Sequence, residues 1–203
     1  MARWTKAWKI GGGLLAAGVA AAAVVVLRER GTEQPDFALI EEDGAIQLRD
    51  YPALLVAETS IAGERETALG KGFRRLADFI FAKRRGDASG DEKIAMTAPV
   101  LGDRHAGQWR TRFVMPAAYS EDTLPRPAGE VSIARLPQRR LAALRFTGAA
   151  DDATLFARER ELRDWLLARH IVPMGAAEYA YYNSPFVPAP LRRNEILIPV
   201  TRR

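Results

Sequence analysis

The stretch that decides the fold reads Lys93-Ile94-Ala95-Met96-Thr97-Ala98-Pro99-Val100. It predicts a short apolar strand that ends at Pro99, because proline cannot donate to a sheet ladder and is confined to strand ends and edges. A second strand, 109–115, also runs into a proline, and the pattern returns late in the chain with 181–186 and the strand 194–200. The stretch therefore belongs to a pattern that the chain uses twice.

The two copies of this pattern have the same order of elements. Each begins with a strand (54–61 or 141–147), continues with a glycine and an amphipathic helix, and ends with two strands. Gly63 precedes Pro99 by 36 residues, and Gly148 precedes Pro185 by 37. A supersecondary unit that occurs twice is too short an array for a solenoid. We therefore expect one compact domain with a pseudo-twofold axis.

Hydrophobic periodicity and turn residues predict the other elements. Helical spacing predicts a first helix over 64–83 and a second from Asp151 or Asp152 to about His170. The turn Asp43-Gly44 predicts a hairpin of the strands 37–40 and 45–48. In the strand 109–115, apolar residues alternate with arginines, which predicts a half-buried strand with its charges outside.

The N-terminal segment carries most of the basic excess. The chain has a net charge of +5, but only about +1 remains beyond residue 30, which argues against a nucleic-acid partner. Residues 10–27 contain no charge, follow a basic stretch, and approach the ~20 residues of a membrane-spanning helix. We expect a basic cytoplasmic terminus (1–9), a transmembrane signal anchor (10–27), a linker (28–36) and a domain (37–203).

This topology predicts a single-pass protein of the inner membrane. Its domain faces the periplasm or the cell exterior, because the positive flank of the apolar stretch stays in the cytoplasm. The small residues 21–23 leave an alternative open, in which the segment is a cleaved signal peptide and the protein is secreted.

Few residues have catalytic potential. The chain has no cysteine, which excludes thiolate metal sites and a cysteine nucleophile. Of its two histidines, His105 falls in a predicted loop (101–108) and His170 at a helix end, and neither belongs to a metal or triad motif. The residues predict no catalytic group and no metal site, and favour a binding domain over an enzyme.

Two features leave alternatives open. Gly70 and Gly72 each cost about 1 kcal/mol relative to alanine in a helix, which indicates a close approach of the backbone to a neighbouring strand or to a flat ligand. Glu195 lies on an otherwise apolar strand, where an unpaired buried acid is costly. This acid is either paired with a neighbouring arginine or poised in a pocket.

Five motifs carry a resemblance to a known family. They cover roughly residues 37–200 in an unchanged order and resemble those of the SOUL haem-binding protein family. The motifs read Tyr51-Pro52-Ala53 with Val56-Ala57-Glu58-Thr59, Gly72-Phe73-Arg74-Arg75-Leu76, Lys93 to Val100 as quoted above, Phe113-Val114-Met115-Pro116, and Arg193-Asn194-Glu195.

The resemblance implies an α+β fold, a distorted antiparallel β-barrel that is open and flanked by two helices. It also implies a likeness to gyrase-inhibitor-like ligand-binding domains. Members of the family bind haem or other tetrapyrroles in an apolar cleft beside the first helix. Carried onto this chain, the cofactor is haem, Arg74 or Arg75 replaces the basic partners of the propionates, and the cleft is formed by Gly70, Phe73, Arg74 and Ala77, with Met96 and Tyr181 opposite.

Three functions follow as hypotheses. The first is a membrane-anchored tetrapyrrole binder that buffers or transfers haem. The second is a gyrase-inhibitor-like pocket that binds or hydrolyses a small lipophilic molecule, with Glu195 as a buried acid whose pKa the apolar pocket shifts. The third is an interaction module that takes no small ligand.

Overall fold

Nine strands form one antiparallel sheet in the computed structural model, which describes residues 31–83 and 92–202. The strands are β1 (Ala38–Asp43), β2 (Ile46–Tyr51), β3 (Leu54–Ile61), β4 (Val100–His105), β5 (Gln108–Val114), β6 (Ser132–Leu136), β7 (Arg139–Thr147), β8 (Glu178–Tyr181) and β9 (Arg193–Val200). The helices are α1 (Arg65–Ile80), α2 (Asp152–Ala168) and a short 3-10 turn (Ala189–Leu191). The fold is therefore α+β, as expected.

The order of strands in the sheet is β1-β2-β7-β9-β8-β4-β5-β3-β6. On the two sides of the β8–β4 contact, the strands of the two repeats stand in mirrored order, β7-β9-β8 and β4-β5-β3. Gly63 and Gly148, which precede the two helices, share a φ of +116°. Since β1 and β6 end the order, the sheet does not close on itself, and the expected barrel is an open sheet.

Both helices lie on one face of this sheet. Gly102 of β4 stands opposite Tyr179 of β8, so the two share a face. Leu69 of α1 covers Gly102, and Glu159 of α2 accepts a hydrogen bond from Tyr179 at 3.1 Å. One apolar cluster fills the space under each helix, and a third lies on the opposite face around Leu101, Ala143 and Leu197.

The stretch 93–98 is not a strand, which corrects the expectation from its apolar pattern. Residues 92–99 return from the end of α1 without pairing in the sheet, and β4 begins after Pro99. Ile94 is buried against α1 and donates its N–H to Ile80 O at 2.9 Å. The apolar residues of this stretch therefore fill part of the core although they lie in a loop. In the second repeat β8 precedes Pro185, so the two prolines are not equivalent.

Two further expectations also need correction. His105, expected in a loop, is the last residue of β4. The arginines of β5 are not outside, because Arg112 is only 2% exposed and pairs with Asp103 at 2.7 Å. The charged face of β5 lies against the interior of the curved sheet, where neighbouring strands supply carboxylates.

The predicted anchor, 10–27, lies outside the described residues. Within 31–83 and 92–202, no helix is long and apolar enough to cross a membrane.

Candidate functional site

On their common face of the sheet, α1 packs on β3 and β5 and α2 packs on β7 and β9, which leaves a groove between the helices. Its floor is formed by β4 and β8, the two central strands. Phe113, Val100 and Tyr181 stand opposite one another on β5, β4 and β8, and in the next row Gly102 stands opposite Tyr179. We call this surface the interhelical groove, with α1 as one wall and α2 as the other.

The wall formed by α1 contains the apolar residues expected to contact a ligand. Gly70, Phe73 and Ala77 recur at spacings of three and four and therefore lie on one side of the helix. Phe73 remains 39% exposed, and its ring stands edge-on to the buried Phe113, with 5.2 Å between ring centroids. The structure thus places an open aromatic edge above the core, beside the floor of the groove.

The two glycines of α1 have different surroundings. A Cβ on Gly72 would come within 2.8 Å of the Thr111 Cβ, so this glycine lets α1 approach β5. A Cβ on Gly70 would meet only a guanidinium nitrogen of Arg74, at 3.9 Å. Close strand packing explains Gly72, whereas Gly70 leaves open space beside Phe73.

Of the two arginines expected to reach carboxylates of a ligand, only Arg74 is near the open surface. Its guanidinium lies over Gly70. Arg75 lies on the other side of α1, where it donates to Thr59 Oγ1 at 3.0 Å and pairs with Glu130 at 2.5 Å. Arg74 can therefore turn to an anion beside Gly70 without breaking an ion pair to a described residue.

Met96 and Tyr181 lie at the floor rather than on the helix. Met96 is half-buried and packs on the same apolar cluster as Val100 and Phe113. The Tyr181 hydroxyl accepts a hydrogen bond from Arg65 Nη1 at 3.0 Å, and burial raises the pKa of this phenol above its ordinary value. Arg65 already holds Tyr181, so the tyrosine offers a ligand its ring more than its hydroxyl.

Glu195 lies on the opposite face of the sheet and is fully buried. Its carboxylate receives hydrogen bonds from Arg49 at 2.7 and 3.1 Å, from Arg193 at 2.7 Å and from Tyr182 at 2.9 Å. Burial alone would raise the pKa of Glu195, but the two arginines outweigh it and lower the pKa below its ordinary value. Of the two alternatives for this acid, the structure shows the paired one.

Several residues around Glu195 were not anticipated. Phe37 covers Arg49, with 4.5 Å from the guanidinium to the ring centroid, and Gln34 accepts from Arg193 at 3.3 Å. Residues 33–37 thus form a strap across this face, pinned where Glu33 O accepts from Ala98 N at 2.8 Å. No local pattern marks these contacts, since the hydrogen bonds join residues more than 60 positions apart and Phe37 meets Arg49 only across the β1-β2 hairpin.

The groove suits a planar apolar ring that carries carboxylates. Phe73 and the space above Gly70 supply apolar contact, and Arg74 supplies a cation. Neither histidine lies among these groove residues, and among the described residues no cluster of three or more histidine, aspartate or glutamate side chains could hold a metal ion. The residues fit the ring of a tetrapyrrole, and no histidine among them offers its iron an axial ligand.

Comparisons with known proteins bear on the family and the fold. A family model described as SOUL heme-binding protein matches residues 32–199. The C-terminal domain of EcmrR superposes with a TM-score of 0.58 at 12% identity, over 78% of this chain and 98% of that chain. A structure described as a hydrolase from Listeria innocua superposes with a TM-score of 0.52 at 14% identity, over 79% and 94%. At such identities the superpositions show a shared fold alone. No curated protein matches the chain in sequence.

Proposed function

The chain belongs to the SOUL heme-binding protein family, and on that premise we propose that it binds haem or another tetrapyrrole along the α1 wall of the interhelical groove. The observation that carries the proposal is Phe73, an aromatic side chain left 39% exposed on the flank of a helix whose Leu76, Phe79 and Ile80 are fully buried. A flat ring placed there covers Phe73 and Ala77 and lies against the bare backbone of Gly70.

The binding energy comes mainly from apolar contact. Covering a large planar ring removes apolar surface from water on both partners, at about 25 cal/mol for each Å². Arg74 adds a charge-assisted hydrogen bond to a propionate, which is stronger than a neutral one. A bound haem would supply its iron and its conjugated ring, and the protein supplies a surface that orients the ring.

This mode of binding favours carriage over chemistry. A ring held by apolar contact at an open wall can leave without breaking a bond to iron, which a protein that buffers or transfers haem requires. We therefore propose a reversible tetrapyrrole binder and no catalytic residue.

A haem titration of the full-length protein tests the proposal. We expect saturable one-to-one binding, seen as a shift of the Soret band, and its loss in Phe73→Asp, which places a charge under the ring. Phe81→Asp is the matched control, because Phe81 is 44% exposed at the end of the same helix. Equal binding by the two variants, or no saturation in the wild type, would reject the α1 wall as the site.

The role of Arg74 has its own test. Arg74→Gln should weaken haem binding by about tenfold through loss of a charge-assisted hydrogen bond. The same substitution should leave binding of the dimethyl ester of protoporphyrin unchanged, because the ester has no carboxylate. If the variant weakened both ligands equally, Arg74 would act by packing and not by charge.

We also propose that residues 10–27 tether the domain to the membrane with the domain outside the cytoplasm. The uncharged 18-residue length and the basic flank support this topology. Full-length protein should sediment with membranes, resist extraction by high salt and be released by detergent. Release by salt alone, or cytoplasmic labelling of a cysteine introduced at Ser120, would overturn it.

The second candidate, a pocket acid at Glu195, requires a different state of the molecule. The acid would have to lose Arg49 and Arg193 before it could donate a proton or pair with a cationic ligand. Because both arginines favour the carboxylate form, Glu195 is better suited to hold β9 against β2 than to catalyse hydrolysis.

A further inference from the structure

A cavity lies between the first turns of the two helices, at the end of the interhelical groove away from Phe73. It has a volume of about 540 Å³, and the residues that decide its chemistry are Glu64, Arg104, Trp109, Leu155, Phe156 and Tyr179. This volume falls within the range of small-molecule sites. Arg104 and Val100 are four residues apart on β4, which places the cavity about 13 Å along the groove from Phe73. Leu69, which fills the space above Gly102, stands between them.

Aromatic rings dominate the apolar part of this cavity. Trp109 and Tyr179 form one side, with 6.2 Å between ring centroids and 35° between planes. Phe156 on α2 is 68% exposed and stands beside the buried Leu155. An aromatic ring between these side chains would remove Phe156 from water and form offset or edge-on contacts with Trp109.

An arginine fixes the walls of the cavity, and other groups of the protein already occupy its guanidinium. Arg65, at the start of α1, donates to Tyr181 Oη at 3.0 Å and to Ala150 O at 2.9 Å, and it pairs with Asp152 at the start of α2. The beginnings of both helices are thereby tied together. Arg65 cannot serve an incoming anion without breaking these contacts, so a different cation must do so.

Two exposed side chains of opposite charge at the cavity have no ion-pair partner among the described residues. Arg104 lies over the Trp109 ring at 5.5 Å, which leaves the edge of its guanidinium free to bind a carboxylate in a forked geometry. Glu64 precedes α1 without capping it through its side chain. A carboxylate alone would face Glu64, and an amine alone would face Arg104. A ligand that carries both groups satisfies both.

We propose that this cavity binds a small aromatic zwitterion, a compound with one aromatic ring, one carboxylate and one ammonium group on a short chain. The ring lies between Trp109 and Phe156, the carboxylate meets Arg104, and the ammonium meets Glu64. The site is independent of tetrapyrrole binding, which uses the Phe73 surface.

Calorimetric titration of the full-length protein in lipid nanodiscs tests the proposal, with L-phenylalanine as the probe. We expect saturable binding of L-phenylalanine. Binding should be about tenfold weaker for 3-phenylpropionate, which lacks the ammonium, for phenethylamine, which lacks the carboxylate, and for L-leucine, which lacks the ring. Equal binding of 3-phenylpropionate and L-phenylalanine would overturn the zwitterion, and no saturation with any probe would overturn the site.

Variants locate the site and separate it from the tetrapyrrole surface. Arg104→Gln and Phe156→Ala should each weaken L-phenylalanine binding about tenfold, whereas Arg135→Gln and Phe186→Ala, at exposed positions away from the cavity, should not. Arg104→Gln should bind haem as the wild type does, and Phe73→Asp should bind L-phenylalanine as the wild type does. Loss of haem binding in Arg104→Gln would overturn the independence of the two sites, and unchanged L-phenylalanine binding in it would overturn the placement.

Discussion

Two glycines in α1 show how one residue type can serve packing at one position and leave a surface open at another. Gly72 faces Thr111 and Thr59 on the strands beneath, and no larger side chain fits there. Gly70 faces outward beside Phe73. Both glycines have the same unfavourable helix propensity relative to alanine. The two positions therefore differ only in the atoms that an added side chain would contact.

Substitution by alanine should therefore have opposite effects at these two positions. Gly72→Ala should lower the free energy of unfolding by about 1 to 3 kcal/mol, because its Cβ forces α1 away from β5. Gly70→Ala should raise it by about 1 kcal/mol through helix propensity. Urea unfolding of both variants measures this. Equal changes of the same sign would show that α1 does not rest on β5 through Gly72.

Glu195 makes the stability of the fold depend on pH. Glu195→Gln leaves Arg49 buried without a carboxylate and should cost about 3 to 5 kcal/mol at pH 7. Because the folded pKa of Glu195 lies below the unfolded pKa of about 4.3, its carboxylate stabilises the fold above that pH and loses this effect as pH falls through the folded pKa.

The gap in unfolding free energy between wild type and Glu195→Gln should thus shrink from pH 7 to pH 3. Urea unfolding at both pH values measures it, with Glu161→Gln as the control at an exposed position. A gap that stayed constant with pH would mean that Glu195 has the same pKa in the folded and unfolded states, and a gap that grew as pH fell would mean that the fold holds Glu195 protonated.

At the scale of elements, Arg65 at the start of α1 binds Tyr181, Ala150 and Asp152 of α2, whereas Arg158 and Arg163 pair within α2 itself. Arg65→Ala should lower the free energy of unfolding by about 2 kcal/mol, because it removes charge-assisted bonds from a largely buried side chain. Arg158→Ala, which breaks an exposed pair with Glu161, should cost less than 0.5 kcal/mol. Equal costs in thermal or urea unfolding would contradict a special role for Arg65.

Elements with a local signal were predictable from the sequence, and those that depend on distant contacts were not. The hairpin around Gly44 and both helices follow from turn residues and helical spacing, and Asp151 caps α2 through Thr154 N as its position predicts. The stretch 93–98 was wrongly predicted as a strand, because burial alone is enough to make a segment apolar, whether or not it pairs in a sheet. Arg112 was wrongly predicted to be exposed, because an arginine that alternates with apolar residues indicates a solvent-facing side chain. Only the position of Asp103 beside it in the fold explains its burial.

The same limit applies to the site. Phe73 could be named from a motif on α1, and Gly70 from the family resemblance on the same helix. The cavity with Trp109 and Phe156 could not, because its walls come from β5 and α2 and meet only when the two repeats pack. Glu195 had a signal, an acid on an apolar strand, but its partner Arg49 lies 146 residues away.

At the scale of the whole molecule, the two repeats are interlocked. Strand β2, which precedes the first repeat, pairs with β7 of the second, and β6, which precedes the second repeat, pairs with β3 of the first. The sequence repeat predicts two similar units. It does not predict that β2 pairs with β7 and β6 with β3, since strand pairing is nonlocal. The apolar cluster under each helix therefore includes a strand from outside its own repeat, because Ile46 and Leu48 of β2 join the cluster under α2 and Ile133 of β6 packs against the cluster under α1.

This exchange predicts that the domain unfolds as one unit. Trp109 lies in the first repeat and Trp165 in the second, so each reports on one half. In two variants that keep only one of these tryptophans, with the other three tryptophans replaced by phenylalanine, urea unfolding followed by fluorescence should give coincident midpoints. Circular dichroism should give the same midpoint. If the repeats were independent units, the Trp109 and Trp165 transitions would separate, and the pairing of β2 with β7 and of β6 with β3 would contribute little to the cooperativity of the fold.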